Sequence, residues 1–244
     1  MSENEVVFTI ARHAAWAPGL ASPERWAEWT REPWYLAPGE EPKVAAMPAL
    51  LRRRAGLLGR MALEVAYDCL GQERDVPTVF CSRHGEVARA VELLNDLARG
   101  EPLSPTAFGL AVHNASAGLF SIARADRANH VALAAGPATL EHAVIEACGL
   151  LADGASRVLL VACDLPLPGV LSGFEDCAEQ AFAFAWLMVP AAEHPVRLGW
   201  RTEAAPAAAA RMPGALEVLR FQLAGAPSLV RHALDRRWHW SRHA

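Results

Sequence analysis

The stretch Val131-Ala132-Leu133-Ala134-Ala135-Gly136-Pro137-Ala138-Thr139-Leu140-Glu141-His142-Ala143 decides how the chain is read. His130 to Leu133 predicts a short strand, and Ala138 to Leu151 predicts a helix. The Gly136-Pro137 pair stands at the bend between them. Proline suits the first helical position, because its fixed φ is already helical and its missing N–H has no partner to lose there. A strongly apolar strand over Arg157 to Cys163 follows, so the stretch is the centre of a strand–helix–strand unit.

The same alternation extends outward. Val6 to Ala15 reads as a strand. Ser22-Pro23-Glu24-Arg25 opens a short helix with a serine cap, a proline at its first position and an acid in the first turn. Residues 31 to 48 carry four prolines and form a loop. Leu50 to Leu70 has apolar residues at helical spacing and stops at Gly71, which predicts one continuous helix. Thr78 to Cys81 is a short buried strand. Glu86 to Arg99 is an amphipathic helix ended by Gly100, and Asn114 to Ala123 is a further helix. After the Pro166-Leu167-Pro168-Gly169 break, Ala181 to Val189 is a buried strand. Alternating strands and helices of this kind predict an α/β fold with a mixed, mainly parallel sheet and helices on both faces.

The pattern changes beyond Pro190, which divides the expected organisation into residues 1–190 and a short C-terminal extension over 191–244. Val196 to Arg201 and Ala215 to Leu223 predict strands. The Ala-Pro-rich stretch 204–210 between them predicts a connector, and Leu229 to Trp240 predicts a basic, aromatic helix. Trp238 and Trp240 in that tail are candidate anchors for a partner.

Composition excludes several functions. The chain has 244 residues, 23 basic and 27 acidic, for a formal charge of −4. That balance gives no electrostatic basis for nucleic acid or an anionic membrane surface. No apolar run reaches membrane-spanning length, and the acidic N-terminus lacks the signature of a signal peptide. Five widely spaced cysteines, an odd number set in apolar runs, indicate reduced thiols rather than a disulfide framework. The expected location is the cytoplasm.

Several segments in order carry a family resemblance. They are Met47-Pro48-Ala49-Leu50-Leu51-Arg52-Arg53-Arg54, Met61-Ala62-Leu63-Glu64-Val65-Ala66, Phe80-Cys81-Ser82-Arg83-His84-Gly85-Glu86, Leu103-Ser104-Pro105-Thr106-Ala107-Phe108 and Val112-His113-Asn114-Ala115-Ser116-Ala117-Gly118. From about Phe8 to Pro190 the chain resembles the N-terminal half of the thiolase-like β-ketoacyl synthases. More narrowly, it resembles the short chain-length-factor-like subunits of aryl polyene pathways. The resemblance implies a thiolase-like half fold. It also implies a heterodimer with a complete β-ketoacyl synthase, working on chains carried by acyl carrier protein in polyene, polyketide or fatty-acid-type elongation.

Two departures accompany the resemblance. About 50 residues follow Pro190, fewer than a second domain of ordinary size requires, and the histidines His232, His239 and His243 match no second-half motif. The family's nucleophilic cysteine sits at a helix N-terminus, where exposed amides and the helix dipole favour thiolate. Anchored on His142-Ala143-Val144-Ile145-Glu146-Ala147, that position falls at or beside Pro137, which has neither a thiol nor an N–H. No catalytic residue is therefore expected, nor a metal or cofactor. What the resemblance implies instead is tunnel-shaping or partner contact by Phe108, Leu110, Val112, His113 and Asn114. It further implies antiparallel pairing of a partner strand with His130, Val131 and Leu133.

Simpler and alternative readings stand beside these. His113 and Asn114 fit loop hydrogen bonding and helix capping. Arg52-Arg53-Arg54 fits a solvated helix face or a carrier-protein patch. Cys163 fits a small buried hydrophobe or an unusual nucleophile. The i, i+4 pair His239 and His243 lacks a third metal ligand nearby. An active acyltransferase with a non-standard nucleophile and a carrier-protein-binding scaffold are the rival functions.

Overall fold

The computed structural model describes residues 4–37, 39–204 and 212–242. In chain order the elements are β1 (Asn4–Trp16), α1 (Pro23–Arg31), α2 (Ala49–Arg52), α3 (Leu57–Leu70), β2 (Thr78–Cys81), α4 (Val87–Arg99), α5 (Pro105–Gly109), α6 (Ala115–Arg124), β3 (His130–Leu133), α7 (Thr139–Ala152), β4 (Val158–Asp164), β5 (Phe182–Pro190), β6 (Val196–Thr202), α8 (Gly214–Ala224), β7 (Ser228–Ala233) and β8 (Arg236–Arg242). The eight strands form one sheet in the order β3-β2-β4-β5-β1-β6-β8-β7.

Strand β5 shows how the sequence builds the two layers. Its inward alternation puts Phe182, Phe184, Trp186 and Met188 on one face and Ala183, Ala185 and Leu187 on the other. The aromatic face stacks along the strand, with Phe184 and Trp186 centroids 5.1 Å apart, and meets Trp240 edge-on. The alanine face leaves room for α3, whose Met61, Ala62, Leu63, Val65 and Ala66 are buried against it. Strand β4 alternates likewise, with all seven residues buried. A strand apolar on both faces needs a layer on each side, here α7 and α8 on one and α3 and α6 on the other.

The mixed α/β sheet with helices on both faces is as expected, but the balance of strand directions is not. Only β2–β3 and β2–β4 pair in parallel, whereas β4–β5, β5–β1, β1–β6, β6–β8 and β8–β7 are antiparallel. The helical crossovers around β2, β3 and β4 force the parallel part. After β4 the chain returns through loops and a hairpin, which permit antiparallel neighbours.

Three element assignments also differ. The expected helix over Leu50–Leu70 is two: α2 ends at Arg52, and Gly56 begins α3 after a turn. The expected strand over Ala215–Leu223 is α8, introduced by Pro213 and closed by Gly225 in the left-handed conformation. Its dense apolar residues fit either period, and these flanking residues favour the helix. The expected helix over Leu229–Trp240 is the β7–β8 hairpin, turning at Leu234-Asp235. Trp238 and Trp240 alternate with polar residues at the strand period and are fully buried. They are core residues of this chain, so their assignment as partner anchors is corrected. The connector read over 204–210 lies, apart from Ala204, outside the described residues, as does His243.

Candidate functional site: a strand–helix elbow and the sheet edge beside it

The loops after β2, β3 and β4 gather at one end of the parallel strands, where open α/β sheets place their ligands. The elbow between β3 and α7 is a single 3-10 turn over Gly136–Ala138. Gly136 takes φ +54, a left-handed conformation that side chains disfavour. Thr139 closes the turn twice: its hydroxyl donates to the Gly136 carbonyl at 2.7 Å and accepts from the Ala135 N–H at 2.9 Å. The Ala138 N–H is bonded to the Ala135 carbonyl, and Pro137 has none. The amides of Ala135 and Ala138 are thus already bonded within the turn, and Pro137 offers none.

The underside of the elbow is held by a buried charge cluster. Arg231 on β7 is ion-paired with Glu141 of α7 and donates through Nε to Glu217 of α8 at 2.7 Å. Its Nη2 reaches the Pro137 carbonyl at 3.3 Å, and Trp240 Nε1 donates to Glu141 at 3.4 Å. Glu141 is fully buried and Arg231 nearly so. A Cβ on Gly214 would lie 1.6 Å from the Arg231 guanidinium, so a side chain there would push the guanidinium off its carboxylates. The sequence offered no signal for the cluster, because Arg231 is read with an exposed basic tail until β7 places it beneath α7.

Burial holds the nearby thiols in their neutral form. Cys81 lines a space of only about 10 Å³ with Gly136, Pro137 and Asp164. Burial pushes its pKa well up, and the neighbouring carboxylates of Asp164 and Glu141 push it further the same way. Cys163 is likewise fully buried and raised by burial and Asp164. Cys148 on α7 is pushed up to about 12 by burial. A reactive cysteine needs the opposite environment, with cations or a helix N-terminus favouring thiolate.

Beside the elbow, Asp164 accepts from Ser82 Oγ and the Arg83 N–H, each at 2.8 Å. Arg83 reaches across to Asp176 and Cys177, and His84 meets Glu179 at 2.9 Å. The carboxyl and thiol groups of Asp176, Cys177 and Glu179 lie within 4.8 Å of one another, but Arg83 already occupies their centre. Burial pushes the Asp164 pKa up to about 6 from the ordinary 3.8, against the opposing hydrogen bonds and the Arg83 charge. The folded state therefore keeps a proton that the unfolded chain releases between those values, and stability falls as pH rises from about 4 to about 6. Urea unfolding of the wild type and D164N across pH 4–7 should show this slope in the wild type and lose it in the variant. Parallel pH profiles would contradict the assignment.

The residues expected to contact a partner fall into one region. Strand β3 ends the sheet, and its outer edge pairs with no strand among the described residues. His113 Nε2 donates to the Leu133 carbonyl at 3.0 Å, which fixes the 110–114 segment against β3. Gly85, at φ +57, makes room for that ring, since a Cβ there would sit 2.4 Å from His113 Nδ1. Phe108 and Val112 are 67% and 44% exposed, Leu110 and His113 are half-buried, and Asn114 is exposed. Asn114 does occupy the N-cap position of α6, but its side chain makes no cap hydrogen bond.

Helix α4, whose sequence shows only that it is amphipathic, adds to this surface. It packs against α5, none of its side chains is buried, and Leu94 and Leu97 are 63% and 59% exposed. Arg53 and Arg54 are exposed in the turn between α2 and α3, while Arg52 donates to the Val44 carbonyl. His239 lies on strand β8 rather than on the helix that the i, i+4 reading assumed, and His243 is outside the described residues.

A mixed sheet whose parallel strands end in such an elbow defines a thiolase-like, ketosynthase-type α/β protein. Residues 26–241 match the family described as β-ketoacyl synthase, N-terminal domain, and the chain belongs to that family. A chain from the complex of the ketosynthase ApeO with its chain length factor ApeC, from Xenorhabdus doucetiae, is similar at 27% identity. The match has a TM-score of 0.86 and covers 97% of this chain and all of that one. A type II polyketide acyl carrier protein–ketosynthase complex, AntDE:AntF, matches in fold at TM-score 0.62 and 11% identity, over 82% of this chain and 69% of its own. A β-ketoacyl synthase from Burkholderia phymatum matches at 0.56 and 15%, over 80% and 59%. No curated protein matches the chain. No helix among the described residues is long and apolar enough to cross a membrane.

Proposed function

We propose that the protein is a non-catalytic, chain-length-factor-type subunit that pairs with a complete β-ketoacyl synthase in the cytoplasm. The observation that carries this reading is the uncovered apolar surface of Leu94, Leu97, Phe108 and Val112, on the packed pair α4 and α5 and the segment that His113 ties to β3, together with the unpaired edge of β3. Exposed large apolar side chains grouped beside an open strand edge call for a partner. The partner's strand pairs antiparallel with His130, Val131 and Leu133, joining two sheets, and the resemblance to a ketosynthase–chain length factor complex supplies the partner's class.

The elbow supports the non-catalytic part. Pro137 stands where the resemblance places the nucleophile, the amides of Ala135 and Ala138 are already bonded, and the nearest thiols are held neutral. In the complex, Phe108, Leu110, Val112, His113 and Asn114 close the far end of the partner's acyl tunnel. The growing chain, of the aryl polyene or a related polyketide type, is held there on acyl carrier protein. One methylene too many in a filled pocket costs about 1–3 kcal/mol, enough to stop elongation.

Co-expressed with its synthase, the protein should elute as one stoichiometric complex burying more than about 2,000 Å². F108A within that complex should shift products toward longer chains, read by mass spectrometry of carrier-bound acyl groups. An unchanged product distribution from an intact F108A complex would leave only a scaffolding role. Acylation of this chain itself, detected by intact mass, would show it to be an enzyme.

A further inference from the structure

Strand β1 has an open edge within the sheet. It pairs with β6 over Asn4 to Phe8, and from Thr9 to Trp16 no strand lies on that side among the described residues. The register with β5 shifts at a bulge between Ile10 and Arg12 and is regular from there to Trp16. A cavity of about 830 Å³ opens along this edge, lined by Arg12, His13, Ala14 and Ala15. Ala14 packs in the α3 layer and Ala15 in the layer of α1 and α8. Asp68 of α3 and Trp26 of α1 also line it, so the cavity wraps the edge instead of lying on one face.

The main chain along this edge is available. Alternate residues of an antiparallel strand turn both N–H and C=O to the same side. The Ala15 carbonyl accepts from Trp26 Nε1 at 3.3 Å, which puts it on the side away from β5, and His13 shares that side. Among the described residues, no backbone bond outside the ladders involves residues 9–15. His13 is exposed. The edge thus presents the His13 N–H and C=O and the Ala15 N–H to the cavity. Neither lysine nor proline, the usual means of blunting an open edge, occurs in this part of β1.

The charges along the cleft favour an acidic occupant. Arg12, Arg31 and Arg220 line it against one acid, Asp68. Arg12 is paired with Glu73, and Arg220 donates through Nε to the Thr30 carbonyl at 2.9 Å. Arg31 is exposed and meets no carboxylate among the described residues. Of the acids close by, Glu28 pairs with Arg25 and Glu217 with Arg231. A second copy of this chain would set these arginines against their own equivalents, which disfavours self-pairing here. Trp26, Ala27 and Leu223 give the cleft an apolar wall.

We propose that the open edge of β1 receives an extended acidic segment of another polypeptide as an added strand. The main chain of that segment bonds to His13 and Ala15, its carboxylates meet Arg31 and Arg220, and its intervening apolar side chains lie on Trp26 and Leu223. In such strand addition the main-chain bonds give affinity and alternate side chains give specificity. None of α4, α5 or β3 lines the cavity, so this surface stands apart from the proposed synthase contact.

The test uses the full chain, in whatever assembly it purifies. The probes are the end-blocked peptide TVEVEVT, its lysine counterpart TVKVKVT, and the acidic peptide N-methylated at every valine and glutamate, each carrying fluorescein. Fluorescence anisotropy should show the acidic peptide binding at least about tenfold more tightly than either counterpart. At saturation it should slow hydrogen exchange of the His13 and Ala15 amides at least about tenfold, read by NMR. H13P removes the N–H that faces the cleft and leaves the β5 ladder intact, so it should weaken binding about tenfold. R31M/R220M should weaken it about as much without touching the edge, and it decides the matter if H13P does not fold. No binding at millimolar acidic peptide, unchanged exchange at His13 and Ala15, equal binding of the lysine or N-methylated peptide, or wild-type affinity in folded H13P or R31M/R220M would each overturn the proposal.

Discussion

Replacing Arg231 with alanine should destabilise the fold by about 3–5 kcal/mol, the cost of leaving a buried charge without its partner. Glu141 is fully buried, and one of its carboxylate oxygens already lacks a hydrogen bond. Removing the guanidinium leaves that carboxylate with only the Trp240 indole at 3.4 Å and releases both Glu217 and the Pro137 carbonyl. Denaturant unfolding measures the loss. The double variant R231M/E141Q should recover a large part of it, because a neutral pair of similar bulk removes the uncompensated charge. A loss below about 1 kcal/mol in R231A would mean that water or rearrangement satisfies Glu141, and that the cluster does not hold the elbow. The cluster ties β7, α7 and α8 together beneath the elbow, which gives that turn a structural anchor independent of any thiol.

The second large effect concerns association. The double variant L94E/L97E places two carboxylates on the most exposed turns of α4. If that face is covered by the synthase, burying unpaired charge there should raise the dissociation constant at least about a hundredfold, roughly 2.7 kcal/mol. Co-elution would be lost. The isolated chain should keep its stability, since neither side chain contributes to the core, and its tendency to self-associate should fall. A variant complex that still elutes intact would move the interface away from α4 and leave β3 to be tested by itself. Because the interface change and the Arg231 change act on different elements, their effects on stability should add.

How much of this was legible beforehand depends on the range of each interaction. Ser22 caps α1 through the Arg25 N–H and Gly100 ends α4 in the left-handed conformation, both local signals correctly read. The elbow was legible too, since Gly136 and Pro137 encode its dihedrals directly. Residues 215–223 were misread because Leu216, Val218, Leu219 and Phe221 satisfy both periods, and burial against the sheet decides between them. The tail was misread because the Leu234-Asp235 turn lacks the Asn-Gly type of signal that marks hairpins. Trp238 and Trp240 carried the strand alternation, but two residues cannot establish a period.

The sequence alone determined the strand-to-helix elbow without a thiol, the two-faced apolar strands and the family they belong to, because each is written in neighbouring residues. Tertiary structure decided the mainly antiparallel sheet, the Arg231–Glu141 pair formed across 90 residues, and the face of α4 left open. Those features depend on which distant segments meet, and amphipathic periodicity states that a helix has an apolar side without stating what covers it.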